Sequence, residues 1–553
     1  MIRPFTAMLV LLAAFAAISA REDADAYVRI AKAIEAFGAV FREVQVRYVD
    51  PVDPVELVDV GIDAMLEHLD PYSEYMVGDE SEDVDMLSTG SYVGVGIVVT
   101  ENEGALFISD LREGGSAASS GVRIGDRIVR VDSAWADSLD QDDLRSYTRG
   151  REGTYVTMRL VREGRLDTLT FRLERRAMEL ESVYTSQILP AGIGYVKLTR
   201  FTRTTREELR QSIVSLQDKT QLKGLIIDVR DNPGGLLEAA IEVTELFVPI
   251  GSKIVSTRGR SAEEVHTYVS TTQPILPDVP LAVLINENSA SASEIVAGAL
   301  QDLDRAVVVG SRSYGKGLVQ SVIPVSTGSS ALSVPSGSSF VKLTTARYFT
   351  PSGRSIQEID YRTTSPQQDT AAYTTRGGRR VSAMRGIEPD SAVSDSSLPT
   401  ALYNLQRIGI IASFATRYAS RFDTLPASFS VRKPLVEDFI KYAVGQPESR
   451  RDPLFQSLSD LRRGLESGTA TQGWKPAFQV LENQVERDYA AQVRSHDEVL
   501  RKLLDREIRL RFSRGAQQYR GQLLDIPSVR AAHGIISSTK YGALLAPELP
   551  SDQ

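Results

Sequence analysis

Three serines, Ser289, Ser291 and Ser293, stand where the apolar strand pattern "PLAVLIN" gives way to the helical pattern "ASEIVAGALQD". A hydroxyl at such a turn lies against the positive end of the helix, where negative charge developing on an acyl oxygen is stabilised. The chemistry this suits is nucleophilic attack on a carbonyl, although serines here also suit plain helix capping. A second turn, "DNPGG" with Gly234 and Gly235, likewise follows a strand pattern ("GLIIDVR") and precedes a helical one. Its glycines leave backbone N–H groups unobstructed, as an oxyanion hole requires, and an ordinary strand-to-helix turn would look the same.

If Ser291 is a nucleophile it needs a base. The chain has no cysteine, and its four histidines, His68, His266, His496 and His533, lie outside the segments carrying the two turns. His266 falls between them in sequence but follows the polar "RGRSAEEV", which reads as a surface excursion. The remaining base is a lysine, which works only if burial lowers its pKa enough to leave it neutral part of the time. Lys316, between Gly315 and Gly317 in "AVVVGSRSYGKGLVQ", comes one strand pattern after the serine helix and reads as that base. The same stretch has the G-x-x-x-x-G-K spacing of a phosphate loop. Gly317, however, stands where a magnesium-binding hydroxyl belongs, and "LVQSVIPV" predicts a strand rather than a helix.

The elements that must position these residues follow from periodicity. From Ile193 strand and helix patterns alternate, which predicts an α/β sheet domain over 176–395. Short strands such as "YVGVGIVVT" and the hairpin-like "TYVTMRLVREGRLDTLTFRLER" predict a small β-rich module over 79–175. Before it, apolar residues at helical spacing predict a helical N-terminal domain over 21–78. The polar stretch from Tyr361 to Arg380 reads as a surface loop or insertion. After Ser396 strands nearly vanish, and a helical C-terminal region over 396–553 is expected. Within it Leu481, Val485, Tyr489, Val493, Leu500 and Leu503 read as one long amphipathic helix.

Composition sets bounds on this multidomain α/β chain of 553 residues. A formal charge of −9 gives no electrostatic reason to expect nucleic acid. The absence of cysteine excludes disulfides and thiolate chemistry, and the scattered histidines argue against a multi-histidine metal site. Residues 1–20, "MIRPFTAMLVLLAAFAAISA", read as a secretory signal peptide, with an uncleaved membrane anchor as the alternative. A periplasmic or otherwise extracytoplasmic location is expected.

The segments "SASASEIVAGALQD", "VVVGSRSYGKGLVQ", "KLTTARYFTPSGRSIQ", "DVRDNPGG" and "GIEPD" together resemble the motif set of the carboxyl-terminal processing peptidases, tail-specific serine proteases of S41 type that carry a PDZ domain. The resemblance runs from about Tyr27 to Val393 and leaves 396–553 without a counterpart. It implies that Ser291 is the nucleophile, Lys316 the base and Gln320 the residue that orients the lysine, with Asp302 in a supporting role. Gln320 lies four residues beyond Lys316, an even offset that on a strand keeps both side chains on one face. With Ser291 as nucleophile, Gly234 or Gly235 and the amide of Ala292 become the oxyanion donors. "LDPYSEYM" resembles the family's entry into the PDZ module, and Val95, Gly96 and Ile97 match its carboxylate-binding loop, followed by the fitting "EGGSAASSGVRIGDRIVRVD".

The expected activity is thus exported serine endopeptidase action on proteins with apolar C-terminal tails, without a cofactor. The competing expectation is a non-catalytic protein on the same fold, binding peptides or apolar ligands or serving as a scaffold. The C-terminal helices leave room for an adaptor or for homo-oligomers.

Overall fold

The computed structural model describes residues 27–77, 90–325, 339–361, 365–366, 371–395, 398–446, 453–467, 472–512 and 523–546, apart from isolated positions within them. The signal-peptide expectation for 1–20 therefore lies outside the described residues, as does most of the serine-rich "STGSSALSVPSGSSF". The chain divides into two units, Met1–Tyr75 with Val341–Leu343, and Met76–Phe340 with Thr344–Gln553. The first contains a helix over 27–47 and the helix Pro54–Glu67. Proline at the first helical position and the Asp53 carboxylate, which accepts from the Val55 amide at 2.7 Å, explain where the second begins.

In the larger unit, residues 90–179 form the expected β-rich module. Its antiparallel sheet runs in the order Ile97–Asn102, Ala105–Leu111, Arg127–Val131, Tyr155–Val161, Thr168–Glu174. In "YVTMRLV" every second residue, Val156, Met158 and Leu160, is fully buried, as a strand with one face on a core requires. A separate ribbon pairs Ser91–Gly94 with Arg176–Glu179.

The second module is built on a six-stranded sheet in the order Val183–Leu189, Ile193–Leu198, Gly224–Asp228, Leu281–Ile285, Ala306–Gly310, Ser391–Ala392. The first pair is antiparallel and the rest parallel. Its inner strands are buried throughout because both faces are covered. Val196, Ile227, Val283 and Val308 face a core shared with the helices Thr205–Gln217, Leu237–Glu245 and Ala292–Asp302. Tyr195, Ile226, Leu284 and Val307 face the opposite way, onto the C-terminal helix Pro527–Ile536 through Val529, Ala532 and Ile535. The last helices of the chain are thus part of the α/β layer structure, which their position within 396–553 did not suggest.

Two further expectations change. The predicted long C-terminal helix is two, Lys475–Arg494 and Asp497–Leu510, broken at Ser495 and His496. Tyr489, Val493, Leu500 and Leu503 still share one core, and Asp497 and Glu498 favour a new helix start at the break. The stretch from Tyr361 to Arg380 is not simply a surface loop. Arg379, 6% exposed, bonds Asp304 Oδ1 at 2.7 Å, Asp390 Oδ1 at 2.5 Å and the Gln301 carbonyl at 3.0 Å. Most of its other described residues are exposed, as expected of a surface loop or insertion, so the departure is this buried arginine, which composition does not distinguish from a solvated one.

Candidate active site

The structure separates the three serines. Ser289 is buried, and its hydroxyl donates to the Val229 carbonyl at 2.8 Å while accepting from the Asn286 amide at 2.9 Å. Ser293 is buried too and donates to the Asn232 carbonyl at 2.9 Å. Ser291 is half-buried and caps the helix Ala292–Asp302 with φ 54° and ψ −113°. A non-glycine residue there carries backbone strain, which persists only where the surroundings over-determine it.

The surroundings do so through Glu294. This fully buried carboxylate accepts from the Ser291 amide at 2.8 Å and the Lys316 amide at 3.0 Å through Oε2, and from the Gly315 amide at 2.8 Å and the Ser313 hydroxyl at 2.5 Å through Oε1. One side chain therefore holds the serine turn and the lysine loop to a single oxygen atom. Burial pushes the Glu294 carboxyl up to about 7 against the pull of these four donors. The buried Tyr348 hydroxyl adds a bond to the Ser291 carbonyl at 3.2 Å; burial, and then the charge of Glu294, raise this phenol well above its ordinary range.

Lys316 is half-buried in the loop between the strands Ala306–Gly310 and Leu318–Val325. Its flanking glycines are required by close packing: a Cβ on Gly317 would stand 2.9 Å from the Gln357 nitrogen, and one on Gly315, at φ 92°, would stand 2.9 Å from the Glu358 Cβ. The Gly317 amide donates to Gln357 Oε1 at 2.7 Å. Gln320 lies on the strand Leu318–Val325, half-buried, with Nε2 donating to Thr344 Oγ1 at 3.1 Å. Because that strand begins at Leu318, Lys316 precedes it, and the even-offset argument for a shared face does not apply.

The "DNPGG" turn packs directly on the serine turn. Asn232 ties the two, since its carbonyl accepts from the Ala290 amide at 3.1 Å as well as from Ser293, and its Oδ1 accepts from the Gly234 amide at 2.9 Å. A Cβ on Gly234 would stand 2.9 Å from the Ser291 Cβ and 3.0 Å from the Ala292 nitrogen. The Gly234 amide is thus engaged by Asn232, which leaves Gly235 and Ala292, at the helix start, as the amides suited to an oxyanion. Beneath the turn, Asp228 is fully buried. Burial opposes its ionisation, but Arg230 and Lys197 beside it, with hydrogen bonds from Arg230 and Tyr195, hold its carboxyl below the usual range.

Asp302 is remote from Ser291, at the other end of its helix. It accepts from Arg354 Nη2 at 2.8 Å and from the Ser352 amide at 3.0 Å, in an ion pair with no exposed side-chain surface. In the β-rich module, Val95, Gly96 and Ile97 line a cavity of about 370 Å³ beside the helix Gln141–Thr148 and the edge strand Ile97–Asn102. The sequence reading missed Glu294, Ser313, Tyr348, Asn232 and Arg354. For Glu294 a signal was present: it stands three residues after Ser291, the serine-to-glutamate spacing of a capping box.

Comparison with known proteins agrees with this architecture. Residues 192–366 match peptidase family S41, residues 83–161 the PDZ domain, and residues 401–536 the helical domain described as "Probable PDZ-protease, C-terminal helical domain". The last match supplies the counterpart that the region after 396 lacked. A carboxy-terminal-processing protease of Bartonella bacilliformis is 36% identical over 345 residues, covering 62% of this chain and 76% of that one. The carboxy-terminal processing protease CtpA of Bacillus subtilis is 31% identical, covering 58% of this chain and 65% of that one. Among solved structures, a photosystem II D1 C-terminal processing protease matches at 26% identity over 66% of this chain and 94% of that one, with a TM-score of 0.38. The chain belongs to the carboxy-terminal processing proteases, serine endopeptidases of family S41 that carry a PDZ domain.

Proposed function

We propose that this chain is an exported endopeptidase that takes protein C-terminal tails into its PDZ groove and cleaves with a Ser291–Lys316 dyad, Gln320 orienting the lysine. The observation that carries the reading is the Glu294 carboxylate, which binds the backbone of the serine and of the lysine at once. In acylation the Ser291 hydroxyl gives its proton to the neutral Lys316 amine as Oγ bonds to the scissile carbonyl carbon. The Ala292 and Gly235 amides receive the oxyanion. The lysine ammonium then protonates the leaving amine as the C–N bond breaks, leaving an ester on Ser291. Water gives a proton to the lysine and attacks that ester, and return of the proton to Ser291 Oγ releases the new carboxyl terminus.

The test is incubation of the chain with an unstructured protein ending in apolar residues, followed by mass analysis of the products. Ser291→Ala and Lys316→Ala should each abolish cleavage with unchanged circular dichroism, and their losses should not add. Lys316→Arg should be equally inactive, because a guanidinium stays protonated. Cleavage surviving in any of the three sinks the dyad. Export is tested separately by fractionating cells and sequencing the mature N-terminus.

A further inference from the structure

The sheet face turned away from the serine helix carries a charged cluster that the acylation steps do not use. Asp228 follows Ile226 by two on one strand, so its side chain lies on the face covered by the helix Pro527–Ile536, and Arg230 reaches the same helix. Arg230, 7% exposed, donates to Asp228 through Nε at 2.9 Å and through Nη2. Its Nη1 donates to Asp395 Oδ2 at 2.6 Å and to the Ser528 hydroxyl at 2.9 Å. Ser528, fully buried, gives its own hydroxyl proton to Asp395 Oδ2 at 2.7 Å and its amide to Asp395 Oδ1 at 2.8 Å. A carboxylate at a helix start suits capping, which accounts for the bonds from Ser528 to Asp395. Capping does not account for Nη1, which bonds both of them at once.

What Arg230 holds is the near end of the "DNPGG" turn. Its amide donates to Asp228 Oδ1 at 2.9 Å and its carbonyl accepts from Lys197 Nζ at 3.0 Å, so the residue is fixed at both peptide groups as well as at the guanidinium. The chain then passes through Asp231 at φ 60° to Gly234 and Gly235 at φ 106° and 146°. Phe201 grips the far end, donating its amide to the Gly234 carbonyl at 3.0 Å and accepting from the Leu236 amide at 2.9 Å. A path with a non-glycine residue at positive φ keeps its shape only where its surroundings over-determine it. We propose that Asp395 and Ser528 are positioning residues of catalysis, which fix the Arg230 guanidinium and through it the turn whose Gly235 amide receives the oxyanion. The inference rests on Ser291 as nucleophile with Gly235 and Ala292 as oxyanion donors. It gives the helix Pro527–Ile536 a part in transition-state stabilisation besides covering the sheet.

The test measures kcat and KM on an unstructured protein ending in apolar residues, and inhibition by a peptide boronic acid with an apolar side chain beside boron. The boronate adduct of a serine is a tetrahedral anion, so its affinity reads the oxyanion site. Losing an oxyanion donor outright costs about 100- to 1,000-fold, and displacing one costs less. Asp395→Asn and Ser528→Ala should therefore each lower kcat about 10-fold with KM within about 2-fold, and boronate affinity should fall by the same factor as kcat/KM. Because both act through one guanidinium, the double variant should lose little more than the worse single one. Asp395→Glu, which keeps the charge, should recover part of the loss. Val529→Ala loosens the same helix without touching Arg230; it should lower the melting temperature yet leave kcat and boronate affinity within about 2-fold. If Val529→Ala loses as much kcat and boronate affinity as Asp395→Asn, or if the two relay variants bind boronate like the parent, Asp395 and Ser528 are structural only and the inference is overturned. A boronate that fails to inhibit the parent overturns the serine reading, and this inference with it.

Discussion

At the scale of single residues the most informative group is Glu294. Its ordinary value is 4.5 and burial raises it to about 7 in the folded chain. Between those values the folded chain keeps a proton that the unfolded chain has lost, so stability from this group is fully present below about pH 4.5 and is lost as pH rises through about 7. The shift corresponds to on the order of 3 kcal/mol. Glu294→Gln should remove this slope, and urea unfolding measured from pH 4.5 to 8 should show the parent's advantage over the variant falling as pH rises. Parallel stability curves would show that the carboxyl does not titrate in this window. The variant should also lose roughly 10- to 100-fold in kcat with little change in KM, since an amide nitrogen then faces the Ser291 and Lys316 amides and displaces both.

At the scale of elements, the serine helix is held at both ends. Glu294 secures its start, and Asp302 and Gln301 secure its end by receiving the fully buried Arg354 guanidinium at 2.8 and 2.7 Å. A helix so fixed cannot slide along the sheet, and the position of Ser291 depends on that. Arg354→Ala strands a buried carboxylate and should cost about 3–5 kcal/mol by chemical denaturation. Arg354→Met combined with Asp302→Asn should recover a substantial part of it, because the uncompensated charge is then gone. Equal losses in the single and double variants would mean that cavity formation, rather than charge, sets the cost. The family motif "KLTTARYFTPSGRSIQ" is intelligible on these terms: Tyr348 bonds the serine turn, Arg354 anchors the serine helix, and Gln357 holds the lysine loop.

At the scale of the molecule, the final helices complete the peptidase. Pro527–Ile536 covers the sheet face formed by Tyr195, Ile226, Leu284 and Val307, and the Ser528 hydroxyl accepts from Arg230 Nη1 at 2.9 Å beside Asp395. Arg230 leads directly into the "DNPGG" turn, so the C-terminus reaches the candidate oxyanion site through one guanidinium. Deleting residues from Leu523 onward should leave no folded peptidase. Each large apolar side chain uncovered forfeits about 1.5–3 kcal/mol, and several together match a typical domain's whole stability of about 5–15 kcal/mol. Size-exclusion chromatography and a thermal melt decide it; a monomeric truncated chain melting cooperatively like the parent would contradict the packing argument.

Periodicity and motif order alone determined the helical, PDZ, α/β and helical succession, because burial imposes a period of two or 3.6 on apolar residues wherever they lie in the chain. They also marked the two turns and the Lys316 loop, since glycine at Gly234, Gly235 and Gly315 records a backbone that other residues cannot follow. Only the tertiary structure decided which partners those turns meet. It showed that Ser289 and Ser293 spend their hydroxyls on carbonyls, that Glu294 joins Ser291 to Lys316, and that Arg379 in a polar stretch is buried. It also placed the helix after Pro527 against strands more than two hundred residues earlier. The physical reason is common to all of these: a buried polar group looks like a solvated one in sequence, and only its partners, brought from distant parts of the chain, tell the two apart.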